Sequence, residues 1–175
     1  MCIILKPLEN NDKEQFILDN QEAFNFGALE EFGLRDSHFE EDEQIISRAT
    51  IEKSINEGEA YRIFADENIV GGLVVRVSEN KGELDLLFIK PTSHSKGIGQ
   101  KAWFLLEKMY PHVKIWETAT PYFEKRNIHF YVNRLGFHIV EFYNKFHPDP
   151  NEEQPEQNSN DNDFDGMFKF QKIIS

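Results

Sequence analysis

The chain has a single cysteine, Cys2, and few basic residues. One thiol cannot close an intramolecular disulfide, so nothing directs the protein to an oxidising compartment. The longest early apolar run, Cys2-Ile3-Ile4-Leu5, is too short for the core of a secretory signal. No segment reaches the ~20 apolar residues of a membrane-spanning helix, and a cytoplasmic protein is expected. Only 19 Lys and Arg face 31 Asp and Glu, a net charge of −12. Nucleic acid and anionic membranes repel such a chain, and neither is expected as a partner. His94, His112, His129 and His138 are scattered without metal-ligand spacing, so no metal site is expected. A Ser-His-Asp or Cys-His signature is missing too, as is the G-x-x-x-x-G-K-[ST] phosphate loop.

What remains is enough for a well-packed domain. The 175 residues are 39% hydrophobic and 13% aromatic, with 16 Phe, which excludes global disorder and fits a single domain spanning 1–175. The acidity is local. Residues 30–43 hold seven acids against Arg35 alone, and 149–165 hold seven more with no Lys or Arg. Such clusters could attract a cationic small molecule or a basic peptide; they also read as a solvated acidic surface.

Periodicity places the elements. A strand is expected over 3–5, closed by Pro7. A helix starts at Asp12-Lys13-Glu14, with Phe16, Ile17, Ala23 and Phe24 as its apolar positions. The stretch 30–43 reads as loop with a short helix. Thr50 is the expected cap of a second helix that stops at Gly58. A meander follows, with strands over 61–65, 69–77 and 83–89 and turns at Asp66-Glu67-Asn68 and Glu79-Asn80-Lys81-Gly82. Ala102, Leu105, Leu106 and Met109 recur at helical spacing before Pro111. A strand is expected over 113–117, then a helix opened by Pro121 and ended by Gly136. Strands over 137–146 and 167–174 close the chain. Residues 148–165 read as a mobile acidic loop before the last strand. The order is βα(α)βββαβαββ, an α/β protein with a mixed sheet.

The stretch richest in chemistry is Leu86-Leu87-Phe88-Ile89-Lys90-Pro91 followed by His94-Ser95-Lys96-Gly97-Ile98-Gly99-Gln100. An apolar strand enters a short loop whose closely spaced glycines open a helix. Such a turn aims backbone N–H groups at one point, and the helix dipole adds partial positive charge, so a pyrophosphate suits it. Gly97-Ile98-Gly99-Gln100-Lys101-Ala102 also fits the dinucleotide pattern G-x-G-x-x-A, and Glu117 lies 20 residues after Gly97. Three facts oppose a dinucleotide. Residues 90–96 separate the strand from its first glycine. The strand carries Glu83 and Asp85, unlike a buried parallel strand. About 75 residues follow Gly99, too few for a doubly wound sheet and a substrate domain. A plain helix-start turn is the remaining alternative.

Strand, Pro91, loop, Lys96-Gly97-Ile98-Gly99 and amphipathic helix together resemble the acetyl-CoA-binding motif of the GCN5-related N-acetyltransferases (GNAT), Q/R-x-x-G-x-G/A. Its first position is here His94. A second segment, Lys125-Arg126-Asn127-Ile128-His129-Phe130-Tyr131-Val132-Asn133-Arg134-Leu135-Gly136-Phe137, resembles the family's later motif, an Asn, then Phe-Tyr, then Gly-Phe. Asn127 and Tyr131, four apart, share one helix face. Tyr131 lies five residues before Gly136, where four is commoner; the extra residue requires a helix bulge or a longer C-cap. The resemblance spans nearly the whole chain. The stretch from Trp116 to Asn127 looks like a bacterial subgroup of the family.

The resemblance implies a GNAT-like fold: a mostly antiparallel sheet of about seven strands, splayed at its centre, with about four helices. It implies acetyl-CoA as cofactor and transfer of its acetyl group to a primary amine by direct attack in a ternary complex. The cofactor would meet Leu87, Phe88 and Ile89 along the strand, then His94, Ser95, Lys96, Gly97, Ile98, Gly99 and Gln100 at the turn, and Asn127 on the later helix. Its pantetheine arm would pair with the strand like an added strand. Transfer requires loss of a proton from the amine, polarisation of the carbonyl and protonation of the thiolate. Tyr131 is the candidate acid, or else an aromatic core residue. Candidate bases are Glu83 and Asp85, expected to share a strand face with Leu87 and Ile89, and Glu117, at the end of its expected strand. A base acting through water is a further option, and each carboxylate also reads as an ordinary surface charge. The acceptor would be a small-molecule or peptide amine, cationic if the acidic stretches flank it. A CoA-binding regulatory or scaffold protein without catalysis is the alternative. The long final strands could support a homodimer.

Overall fold

The computed structural model describes residues 1–32, 44–94, 96–151 and 166–175. These hold seven β-strands and four α-helices in the expected order, a mixed α/β chain. They form two compact units, Met1–Lys114 and Ile115–Ser175.

In the first unit, β1 (Ile3–Pro7), β2 (Glu59–Ala65), β3 (Asn68–Ser78) and β4 (Lys81–Ile89) pair in that order, all antiparallel. The β2–β3 hairpin turns tightly on Asp66 and Glu67, both at positive φ. Helix α1 (Lys13–Phe32) packs on β3 and β4, α2 (Arg48–Glu57) on β2 and β3, and α3 (Ile98–Met109) on β1 and β4. Ser47, not Thr50, caps α2: its hydroxyl accepts the Thr50 backbone N–H at 3.1 Å. Thr50 sits inside the first turn, where its own hydroxyl bonds Ser47 at 2.9 Å. A core of Phe16, Ile17, Ile51, Val74, Leu86 and Phe88 joins α1 and α2 to the sheet. Gly72 permits this approach, because a Cβ there would lie 2.4 Å from the Phe16 ring.

Among the described residues of this unit, Arg62 and Asp19 are buried charges. The Arg62 guanidinium, 2% exposed, reaches from β2 to Asp12 at 2.7 Å and to Asp19 on α1 at 3.0 Å. It also lies over the Phe16 ring, 5.2 Å from its centroid. The pairing pins α1 to the sheet, and removing either partner would strand a buried charge.

In the second unit, β7 (Met167–Ile173) lies between β5 (Ile115–Pro121) and β6 (His138–Tyr143), antiparallel to both. The strand expected over 113–117 therefore begins later and ends on Pro121, which closes β5 instead of opening a helix. Helix α4 (Lys125–His129) follows, continued by a π-helical turn, Phe130–Arg134. Strand β6 is shorter than expected, since a turn bridged by Asn144 and His147 follows it. The stretches expected as loop at 30–43 and 148–165 fall largely outside the described residues.

Candidate functional site

The glycine turn of the first unit is built mainly from backbone. The Lys90 N–H donates to the Val70 carbonyl of β3 at 2.8 Å. A trans peptide points its N–H and C=O opposite ways, so the Ile89 carbonyl faces away from β3. There it accepts a hydrogen bond from His94 Nε2 at 2.7 Å, which makes Nε2 the protonated nitrogen. The His94 ring stands edge-on to Phe26 of α1, 5.3 Å between centroids. Its imidazole thus ties the loop to the end of β4. Between them a short 3₁₀ turn, Pro91–Ser93, reverses the chain.

Gly97 then adopts φ 71° and ψ 15°, the left-handed conformation that favours glycine, and stands as N-cap of α3. No side chain caps the helix there. A Cβ at Gly97 would meet nothing within 4 Å, so conformation, not crowding, requires the glycine. The turn therefore presents an uncapped helix N-terminus beside open space, next to the exposed Lys96. This arrangement fits an anion. Ser95 lies outside the described residues.

The strand carboxylates sit elsewhere than alternation predicts. Val74 pairs with Leu86 and Val75 with Leu84, which leaves Asp85 as the extra residue of a β-bulge. Neighbours on β3 point to opposite faces, so Leu84 and Leu86 do as well. Glu83, paired with Arg76, consequently lies on the Leu86 face, and Leu87 on the other. The expected common face for Glu83, Asp85, Leu87 and Ile89 is corrected by this one residue. Asp85 accepts a hydrogen bond from the Ser54 hydroxyl of α2 and pairs with Arg76 at 3.1 Å. Arg76 also meets Glu83 and Glu57, each at 3.3 Å. Both strand carboxylates thus already serve a cation.

In the second unit, side chains do the building. Along β5, Trp116, Thr118 and Thr120 point to one face and Glu117 to the other. Glu117 lies within β5, not at its end, and is buried against Lys169 of β7 with Nζ and Oε2 2.6 Å apart. Asn127 Nδ2 donates to the Thr120 hydroxyl at 3.2 Å. Tyr131 packs among aromatic rings, 5.4 Å from Phe170 and 5.9 Å from Phe137 between centroids. The residue is half-buried, and its hydroxyl is hydrogen-bonded to Thr118. Burial pushes the phenol up to about 12; the Thr118 hydroxyl pulls it back and the Glu124 charge adds to the rise.

The extra residue between Tyr131 and Gly136 is absorbed by the π turn. The Leu135 N–H reaches back five residues to the Phe130 carbonyl at 3.0 Å, and the Phe137 N–H closes the end on Tyr131 at 2.9 Å. Thr118, Thr120, Arg76 and Ser54 were missed in the sequence. A Thr-Ala-Thr alternation in a strand was the available sign for the first two.

A sequence model of the acetyltransferase (GNAT) family matches residues 19–137. The chain belongs to the GNAT family. This GNAT chain is 44% identical over 181 residues to the uncharacterised protein YrkN of Bacillus subtilis, covering 98% of this chain and 94% of that one. Its fold is similar to that of a PaiA N-acetyltransferase of Thermoplasma acidophilum solved with coenzyme A, with TM-score 0.65, 18% identity and coverage of 99% and 100%. A GNAT acetyltransferase of Elizabethkingia anophelis with acetyl-CoA bound gives TM-score 0.63 at 15% identity, covering 98% of each chain. The ribosomal-protein-S18-alanine N-acetyltransferase of Escherichia coli gives 0.66 at 12% identity, covering 99% and 95%.

Proposed function

We propose that the protein is an acetyl-CoA-dependent N-acetyltransferase acting on a primary amine, with direct attack in a ternary complex. The observation that carries this reading is the uncapped start of α3 behind left-handed Gly97, on a chain of the GNAT family. Acetyl-CoA, when bound, supplies an acetyl group already activated as a thioester. The backbone N–H groups of residues 97–99, with Lys96, hold the pyrophosphate. The β4 backbone around Leu87, Phe88 and Ile89 would hold the pantetheine arm and polarise the carbonyl, and Asn127 would contribute a cofactor contact. Tyr131 donates the proton that the departing thiolate takes up; with its phenol pushed up to about 12, it stays protonated at neutral pH. Glu83 and Asp85 serve Arg76, and Glu117 serves Lys169. The amine proton leaves to one of these carboxylates or through water. The acidity of the chain favours a cationic acceptor, small molecule or peptide.

A thermal-shift titration followed by an amine panel tests the reading. Acetyl-CoA at a hundredfold excess over Kd is expected to stabilise the protein by about 2.7 kcal/mol, and NAD not at all. Thiol release with some amine is then expected. Stabilisation without release from any amine would favour a CoA-binding protein that lacks catalysis. No stabilisation would overturn both readings.

A further inference from the structure

We infer that Thr118 of β5 is a positioning residue for Tyr131, setting the direction in which the phenol presents its proton; this rests on the proposed role of Tyr131 as the acid. Thr118 and Thr120 are 5% and 3% exposed and share a strand face. Same-face strand neighbours stand ~6.6 Å apart, and residues four apart on a helix are displaced by ~6 Å. The two spacings match, so two threonines can hold two helix residues at once. Thr120 takes Asn127 and Thr118 takes Tyr131.

This second anchor matters because of the π turn. The π turn begins at Phe130, so Tyr131 sits where the helix changes pitch. Its ring neighbours Phe137 and Phe170 confine the plane of the ring but offer no polar group to the hydroxyl. The Thr118 hydroxyl supplies the directional contact. Among the described residues, Glu124 places a charge near the phenol that opposes its ionisation.

The test is a double-substitution cycle on the full chain. Thr118→Val keeps the shape and removes the hydroxyl. Loss of one hydrogen bond of this kind is expected to lower kcat roughly tenfold, with the CoA dissociation constant unchanged by calorimetry. Thr118→Ser, which restores the hydroxyl, is expected to recover most of the rate. In a Tyr131→Phe background, Thr118→Val is expected to cost nothing further. Without any turnover, the ¹³Cζ resonance of Tyr131 at neutral pH, assigned by its loss in Tyr131→Phe, is expected to move in Thr118→Val. An equal penalty in both backgrounds, or an unmoved resonance, would overturn the inference. A damaging Tyr131→Phe beside a silent Thr118→Val would overturn it alone. A silent Tyr131→Phe would remove the acid assignment and the inference together.

Discussion

The β4–α3 turn of the first unit offers backbone: the N–H groups at the start of α3, a glycine in the left-handed region, and a carbonyl held by His94. The β5–α4 region of the second unit offers side chains: Asn127 on Thr120, Tyr131 on Thr118, Glu117 on Lys169. Backbone sites depend on conformation and tolerate exchange of most side chains around them. Side-chain sites depend on individual atoms, each with a named partner. A departure from the family's motif therefore has different weight in the two places. His94 replaces Gln or Arg at a turn whose ligand groups are mainly N–H, whereas the extra residue after Tyr131 had to be absorbed by a change of helix type.

Substitutions at four positions test this contrast. Arg62→Met tests the scaffold beneath the backbone site. It leaves Asp19 buried without its cation and is expected to cost about 3–5 kcal/mol, read as a lowered urea midpoint at unchanged slope. Gly99→Glu places a carboxylate in the first turn of α3. Acids there favour the helix, so the folded state is expected to survive while CoA binding falls at least roughly a hundredfold by calorimetry, the charge opposing the phosphates. If that variant binds CoA normally, the pyrophosphate lies elsewhere. Tyr131→Phe changes one atom of the side-chain site. It is expected to lower kcat roughly a hundredfold, within the range of general-acid contributions, at near-constant CoA affinity; unchanged turnover would reduce Tyr131 to packing. The smallest effect belongs to His94. His94→Phe keeps the ring against Phe26 but loses the bond to Ile89, and His94→Gln keeps a donor. About a threefold to tenfold weaker CoA binding is expected for Phe, in line with one hydrogen bond, and recovery for Gln.

The raised phenol adds a pH signature. An unfolded Tyr ionises near 10, whereas folded Tyr131 holds its proton to about 12. The stabilising effect is fully present below pH ~10, where both states are protonated, and is lost as pH rises toward 12, because only the unfolded state releases its proton. Wild type is therefore expected to lose stability relative to Tyr131→Phe across that window, measured by denaturation at stepped pH. Identical pH profiles would show that the phenol is not buried in solution.

Much of the fold was legible because it rests on local patterns. The glycines at 97 and 99 after an apolar strand marked the turn, and the apolar spacing through Leu106 marked α3. The order of elements follows from the same local patterns. Boundaries failed where neighbours overrode local preference. Pro121 is a good helix opener in isolation, yet it ends β5 because that strand is drawn out along β7. Thr50 looked like a cap, but Ser47 three residues earlier captures its N–H.

The element order, the glycine turn, the Asn127 and Tyr131 pair on one helix and the family they resemble all follow from residues close together in the chain. Tertiary structure alone decided which face Glu83 and Asp85 occupy, because a single bulged residue inverts alternation and leaves no local mark. It alone turned His94 back onto Ile89 and assigned Thr118 and Thr120 to their helix partners. The threonine contacts join a strand to a helix whose meeting is set by packing, and side-chain spacing within either element does not encode it.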